Sequence, residues 1–114
     1  MATSEAPDDA FFAAGSPWYF TLFGRDSLWT SRLLLPVDVR QAGGTLRALG
    51  RLAGTAVDVS TAQEPGKIMH ELRRGTYAFN EISLPPLYYG TIDATRCGSA
   101  CCTTPGGPAW PRPR

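Results

Sequence analysis

A chain of 114 residues has room for one domain at most, and its 43% hydrophobic content is ordinary for a globular fold. A formal net charge of +1, with arginines spread along the chain and no block of like charge, excludes a basic nucleic-acid face; no stretch approaches the roughly 20 apolar residues of a membrane span. The acidic, small and polar start lacks the basic and apolar regions of a signal peptide, so a cytoplasmic protein with neither a nucleic-acid nor a membrane partner is expected.

Residues 1–10 read as a disordered lead-in, because they offer little to bury against the entropy of ordering; Asp8 or Asp9 would cap a short turn carrying Ala10 to Ala14. Gly15, Ser16 and Pro17 force a loop. From Arg25 or Asp26 the pattern turns helical: Leu28, Trp29, Arg32, Leu33 and Leu35 fall at three- and four-residue spacings until Pro36 stops the run, with Asp26 a natural N-cap. A second helix is predicted from Val37 or Asp38 to about Ala53, with Leu46, Leu49, Leu52 and Ala53 on one face and Arg40, Arg47 and Arg51 on the other. Gly43 and Gly44 weaken its middle by roughly 1 kcal/mol each relative to alanine.

Residues 54–66 are loop, rich in Thr, Ser, Gly and Pro, with Val57 and Val59 extended. The periodicity leaves residues 68–73 open between a helical turn and a strand, and the weak alternation of residues 76–82 suits a small hairpin. Pro85 and Pro86 cannot lie inside a helix, so a third helix starts only near Thr91, with Asp93 in its first turn.

Residues 18–29 pack five aromatics, a glycine and the pair Arg25 and Asp26 into a dozen positions. Aromatic faces suit the C–H faces of a sugar ring, and fixed donors and acceptors suit its hydroxyls; the same aromatics would equally serve as core.

Three motifs bear on this choice. They are Ala14-Gly15-Ser16-Pro17-Trp18-Tyr19 with Phe23-Gly24-Arg25-Asp26-Ser27, then Pro65-Gly66-Lys67-Ile68-Met69-His70-Glu71, then Tyr88-Tyr89-Gly90-Thr91-Ile92-Asp93-Ala94-Thr95. In this order they resemble the opening of the catalytic domain of bacterial glycogen debranching enzymes of the amylo-alpha-1,6-glucosidase type. These belong to the glucoamylase-like glycoside hydrolases built on an (α/α)6 toroid. The resemblance covers residues 11–95 and implies an all-α fold: the first helical hairpins of such a toroid, with long loops and a disordered C-terminal tail.

It further implies a hydrolase acting on α-glucans by an inverting acid/base mechanism, with no cofactor. Asp93 would be the general acid, although Arg96 stands where the family pattern has proline. Arg25 and Asp26 would hold the hydroxyls of the terminal glucose, Trp18 and Tyr19 would stack on it, and Lys67, His70, Glu71 and Tyr89 would line the same pocket. Glycoside hydrolysis needs a second carboxylate, and neither Glu71 nor Glu81 matches the family's base motif, so the chain alone is expected to be inactive. A related toroid hydrolase acting on another glycan, trehalase-like or mannosylglycerate-type, and a non-catalytic helical binding module are the alternatives.

A metal reading fails on spacing, because His70 and Glu71, adjacent in sequence, point in different directions on any regular element, and Cys97, Cys101 and Cys102 lack a second ligand pair. Residues 96–114 show no hydrophobic period and hold all three cysteines. With codons rich in G and C, one added base before Arg96 makes the text read Pro-Leu-Trp-Val-Cys-Leu-Leu, which restores the family pattern. The tail is therefore expected to be unstructured and out of frame; a genuine disordered tail is the plainer alternative.

Overall fold

The computed structural model describes residues 9–79 and 82–103. Three helices, α1 (Gly24–Leu34), α2 (Val39–Arg51) and α3 (Asp93–Thr103), carry the core, and α1 packs against both of the others. Four short strands follow α2: β1 (Glu71–Leu72), β2 (Tyr77–Phe79), β3 (Ile82–Leu84) and β4 (Leu87–Tyr88). The antiparallel hairpin β2–β3 pairs Ala78 with Ser83 and is nested inside the antiparallel pair β1–β4, which sets Glu71 opposite Tyr88 and Leu72 opposite Leu87.

An all-α fold is thus corrected to a helical core with two small sheets. The physical reason lies in Pro85 and Pro86, which deny the segment a helix. The Arg73 N–H donates to the Pro86 carbonyl (2.6 Å), closing the neck of the nested hairpin.

The two predicted helices form close to their expected positions, joined by the turn at Pro36, and the Asp38 side chain caps α2 by accepting from the Arg40 N–H at 2.9 Å. Asp26 is not the cap of α1. Phe23 stands there without a side-chain cap, the Gly24 N–H donates to the His70 carbonyl at 3.0 Å, and Asp26 sits in the first turn, where the macrodipole favours a carboxylate.

The buried face of α1 also differs from the apolar pattern. Gly24, Ser27, Leu28 and Ser31 face inward, whereas Trp29, Arg32 and Leu33 are exposed. Burial of the serines is tolerable because each hydroxyl is satisfied, Ser27 donating to the Phe12 carbonyl (2.6 Å) and Ser31 to the Ser27 carbonyl (2.7 Å). The small face lets the start of α1 approach residues 68–70 so closely that a Cβ on Gly24 would overlap the Met69 carbonyl. On α2, Gly43 and Gly44 are buried and the helix runs through them.

The core gathers Leu28 of α1, Leu46 and Leu49 of α2 and Cys101 of α3 with Leu22, Met69 and Tyr89 from the connecting segments. Asp9, expected in a disordered lead-in, is buried. Its carboxylate meets Arg47 Nε at 3.2 Å and Arg51 Nη1 at 2.5 Å, which clamps the chain start across α2; residues 1–8 lie outside the described residues.

The loop after α2 is held shut by reciprocal bonds, Gly54 N–H to the Lys67 carbonyl and Gly66 N–H to the Gly54 carbonyl, both 2.8 Å. Helix α3 corrects the unstructured tail. It continues through Thr103 with Ala94, Gly98 and Cys101 buried, so residues 96–103 are helical, and residues 104–114 lie outside the described residues. Among the described residues no helix is long and apolar enough to cross a membrane.

Candidate functional site

Two neighbouring features arise from the way residues 21–25 thread between the sheet and the helices. Thr21 Oγ1 donates to the Leu72 carbonyl, the Leu72 N–H donates to the Leu22 carbonyl (3.0 Å), and Phe23 bridges to Glu71. This short run therefore lies beside β1 before it turns into α1. On the sheet side it borders a cleft, and on the helix side it delivers Arg25.

The helix side is polar. Arg25, second residue of α1, donates from Nη1 to Asp93 Oδ2 at 3.0 Å, so the first turns of α1 and α3 meet. Asp26 stands 4.0 Å from Arg25 Nε, and the Thr91 hydroxyl donates to Asp93 Oδ1. The Thr91 hydrogen bond above all, with Arg25 adding to it, holds the Asp93 carboxyl below the usual carboxylate range. The Asp93 hydrogen bond, with the charge of Asp26 behind it, in turn pushes the Arg25 pKa up. The half-exposed Arg25 and Asp93 present one cation and one anion to an incoming ligand.

The sheet side is an open cleft of about 490 Å³ lined by Trp18, Tyr19, Thr21, Glu71, Arg73 and Leu84, among others. Trp18, Tyr19 and Phe20 are not core: Trp18 is 88% exposed, Tyr19 61% and Phe20 47%. They ride on a loop with a cis Ser16–Pro17 bond and Gly15 at φ +76°, closed by the Ala14–Thr21 bridge. Opposite them Glu71, its side chain 5% exposed, receives Arg73 Nε and Nη2 on the single oxygen Oε2, each at 2.8 Å.

His70 links the two features. Its ring meets Phe23 edge-on (6.1 Å between centroids) and Tyr88 edge-on (6.2 Å), while Phe23 meets Tyr19 (6.2 Å), so an aromatic row runs from the cleft toward β4. The buried His70 Nδ1 has no hydrogen-bond partner among the described residues.

Two predicted lining residues belong elsewhere. Tyr89 is 2% exposed and donates its hydroxyl to the Leu52 carbonyl (2.5 Å), which makes it core; burial pushes its pKa up. Its neighbour Tyr88, the last residue of β4, meets His70 instead. Lys67 turns back into its own loop, donating to the Ala62 carbonyl (3.0 Å) with Glu64 at 3.8 Å.

Arg73 and Thr91 were not among the predicted site residues. Arg73 stands two positions after Glu71 and just past the end of β1, and that i, i+2 spacing in extended chain was the signal that could have flagged it. Thr91 carried a weaker signal as the hydroxyl two residues before Asp93. Compared with models of known protein families and with curated proteins, the chain matches none.

Proposed function

We propose that this chain holds the terminal glucose of an α-glucan in a debranching-type glycoside hydrolase of the cytoplasm, with its α1–α2 hairpin the first unit of an (α/α)6 toroid. The observation that carries the reading is the 3.0 Å hydrogen bond between Arg25 and Asp93, two residues from separate motifs and 68 positions apart. In this reading Arg25 and Asp26 take the ring hydroxyls, and Asp93 protonates the departing glycosidic oxygen.

A general acid must carry a proton, whereas Asp93 without sugar is held as a carboxylate by Thr91 and Arg25. A sugar that draws Arg25 onto its hydroxyls removes one of the contacts favouring the charged form, and exclusion of water raises the carboxyl further. Inverting hydrolysis also needs a second carboxylate to activate water, so the chain alone binds glucan without cleaving it.

The depressed Asp93 carboxyl favours one competing reading, a non-catalytic sugar-binding module in which Asp93 only accepts hydroxyl hydrogens. Titration of the chain with maltotetraose and panose, followed by NMR, tests the common part. Saturable binding weakened about tenfold by Arg25→Ala and by Asp93→Asn is expected, the ordinary cost of a lost charge-assisted hydrogen bond. Absence of α-glucan binding overturns the proposal. Glucose release from a limit dextrin by the complete catalytic domain, abolished by Asp93→Asn, separates enzyme from module.

A further inference from the structure

Helices α1 and α3 carry three arginines and two aspartates, and the charges are unevenly matched. Both carboxylates, Asp26 and Asp93, stand within 4.0 Å of the one residue Arg25. Arg32 on α1 and Arg96 on α3 are exposed, and neither meets a carboxylate among the described residues. Two guanidinium charges are thus left over on helices that pack against each other.

The two come together at an open groove of about 200 Å³ between the helices, lined by Leu28, Trp29, Arg32, Arg96, Cys97 and Ala100. Leu28 is buried and Trp29 is 49% exposed, so the groove has an aliphatic floor and an indole that water still reaches. The Arg32 guanidinium carbon lies 5.8 Å from the centre of the Trp29 ring, within range of cation–π attraction, which keeps that cation at the edge of the groove. Burial pushes the Cys97 thiol up, so this remaining polar group stays neutral and supplies no counter-charge.

The donors select the ligand. A guanidinium only donates, so its partner must accept, and its planar fork matches the two oxygens of a carboxylate. An amine would add like charge. A polyol gains little, because the lining side chains hold no oxygen to accept its hydroxyl hydrogens. The apolar floor calls for an apolar body, and since a cavity of ~150 Å³ is enough for benzene, one aromatic ring is the size that fits.

We infer that the groove between α1 and α3 binds a small aromatic carboxylate, its ring against Leu28 and Trp29 and its carboxylate between Arg32 and Arg96. The ring displaces water from the indole, and the carboxylate neutralises the charge that Asp26 and Asp93, engaged by Arg25, leave unbalanced. This site does not rest on the glucan reading.

The full chain, labelled with ¹⁵N, is titrated with hydrocinnamate, with the neutral hydrocinnamyl alcohol, with phenylpropylamine and with acetate. The indole N–H signal of Trp29, assigned through Trp29→Phe, reports binding. Hydrocinnamate should shift that signal saturably. The alcohol and the amine, which lose the charge-assisted hydrogen bonds, and acetate, which loses the ring, should each bind at least about tenfold more weakly. Added salt should weaken the acid and spare the alcohol. Arg32→Gln and Arg96→Gln should each lose about tenfold toward hydrocinnamate and leave the affinity for the alcohol unchanged, while Arg40→Gln, outside the groove, should bind as the parent does. These arginines are exposed, and the salt and ligand comparisons on the parent chain keep the test decisive should a variant fail to fold.

Equal affinity for acid and alcohol, binding that ignores salt, or unchanged affinity in both Arg32→Gln and Arg96→Gln overturns the site, as does the absence of a saturable Trp29 shift. None of these outcomes involves maltotetraose, so the groove and the glucan reading fail separately.

Discussion

Asp93 has two side-chain partners, and the hold of each is measurable. The Thr91 hydrogen bond is the largest single cause of its lowered pKa, and Arg25 adds both a hydrogen bond and its charge. Thr91→Val and Arg25→Ala should therefore each raise the Asp93 titration, followed by carboxyl ¹³C shifts. A folded-state pKa below the unfolded one stabilises the fold above the ordinary carboxylate pKa. That contribution disappears as the pH drops through the depressed value, so acid should loosen the contact between α1 and α3 only below the usual carboxylate range. Gly24 is a second sensitive point. The added methyl of Gly24→Ala meets the Met69 backbone carbonyl, and the variant should lose about 1–3 kcal/mol in denaturant unfolding, the range for overpacking against atoms that cannot yield. Arg25, Asp26 and Asp93 come together as one polar group, and Trp18, Tyr19 and Glu71 line a cleft beside it; the sequence marks these residues because charged and aromatic side chains in short motifs stand out, but not their division into two features. Tyr89 was misread because two adjacent tyrosines look alike in sequence while only the second, just past the end of β4, enters the core.

Helix α3 shows where periodicity loses its power. Ala94, Gly98 and Cys101 stand at i, i+4 and i+7, a helical spacing, but two of the three are too small to register as apolar, so the buried stripe is visible only once the chain is folded. Helices α1 and α2 were legible from leucine spacing and Pro36; the serine face of α1 was not, since its burial depends on carbonyl partners that sequence does not reveal. The strands span two or three residues each, too few for any alternation to be counted. The thiols of α3 should react slowly. Burial pushes the pKa of Cys97, Cys101 and Cys102 up, which lowers the thiolate fraction at neutral pH. Iodoacetamide should label Cys101 last, at a rate set by unfolding, and labelling of all three at the rate of a free thiol would remove the helix.

As a whole the molecule places the proposed sugar contacts on a segment that also holds the core together: residues 21–25 carry both Arg25 and the buried Leu22. Occupancy should therefore register as global stability. A glucan at 100 times its dissociation constant adds about 2.7 kcal/mol by mass action, and the thermal midpoint should climb with maltotetraose concentration in the parent chain but far less in Arg25→Ala. The start of the chain contributes in the same way. Asp9→Ala removes the buried anion between Arg47 and Arg51 and should cost about 1–3 kcal/mol, read from the shift of the urea midpoint.

The nesting of one ribbon inside another carries a further consequence. The Arg73–Pro86 bond ties off residues 73–86 at their base, and this appendage contributes Arg74, Thr76 and Leu84 to one wall of the cleft while the helices lie on the far side of the tie. Chain added to or taken from the appendage would reshape that wall without rethreading anything beneath it. The shape of the cleft and structural integrity are thereby uncoupled, and the ribbon is the place where a lineage, or an engineer, can change one and keep the other.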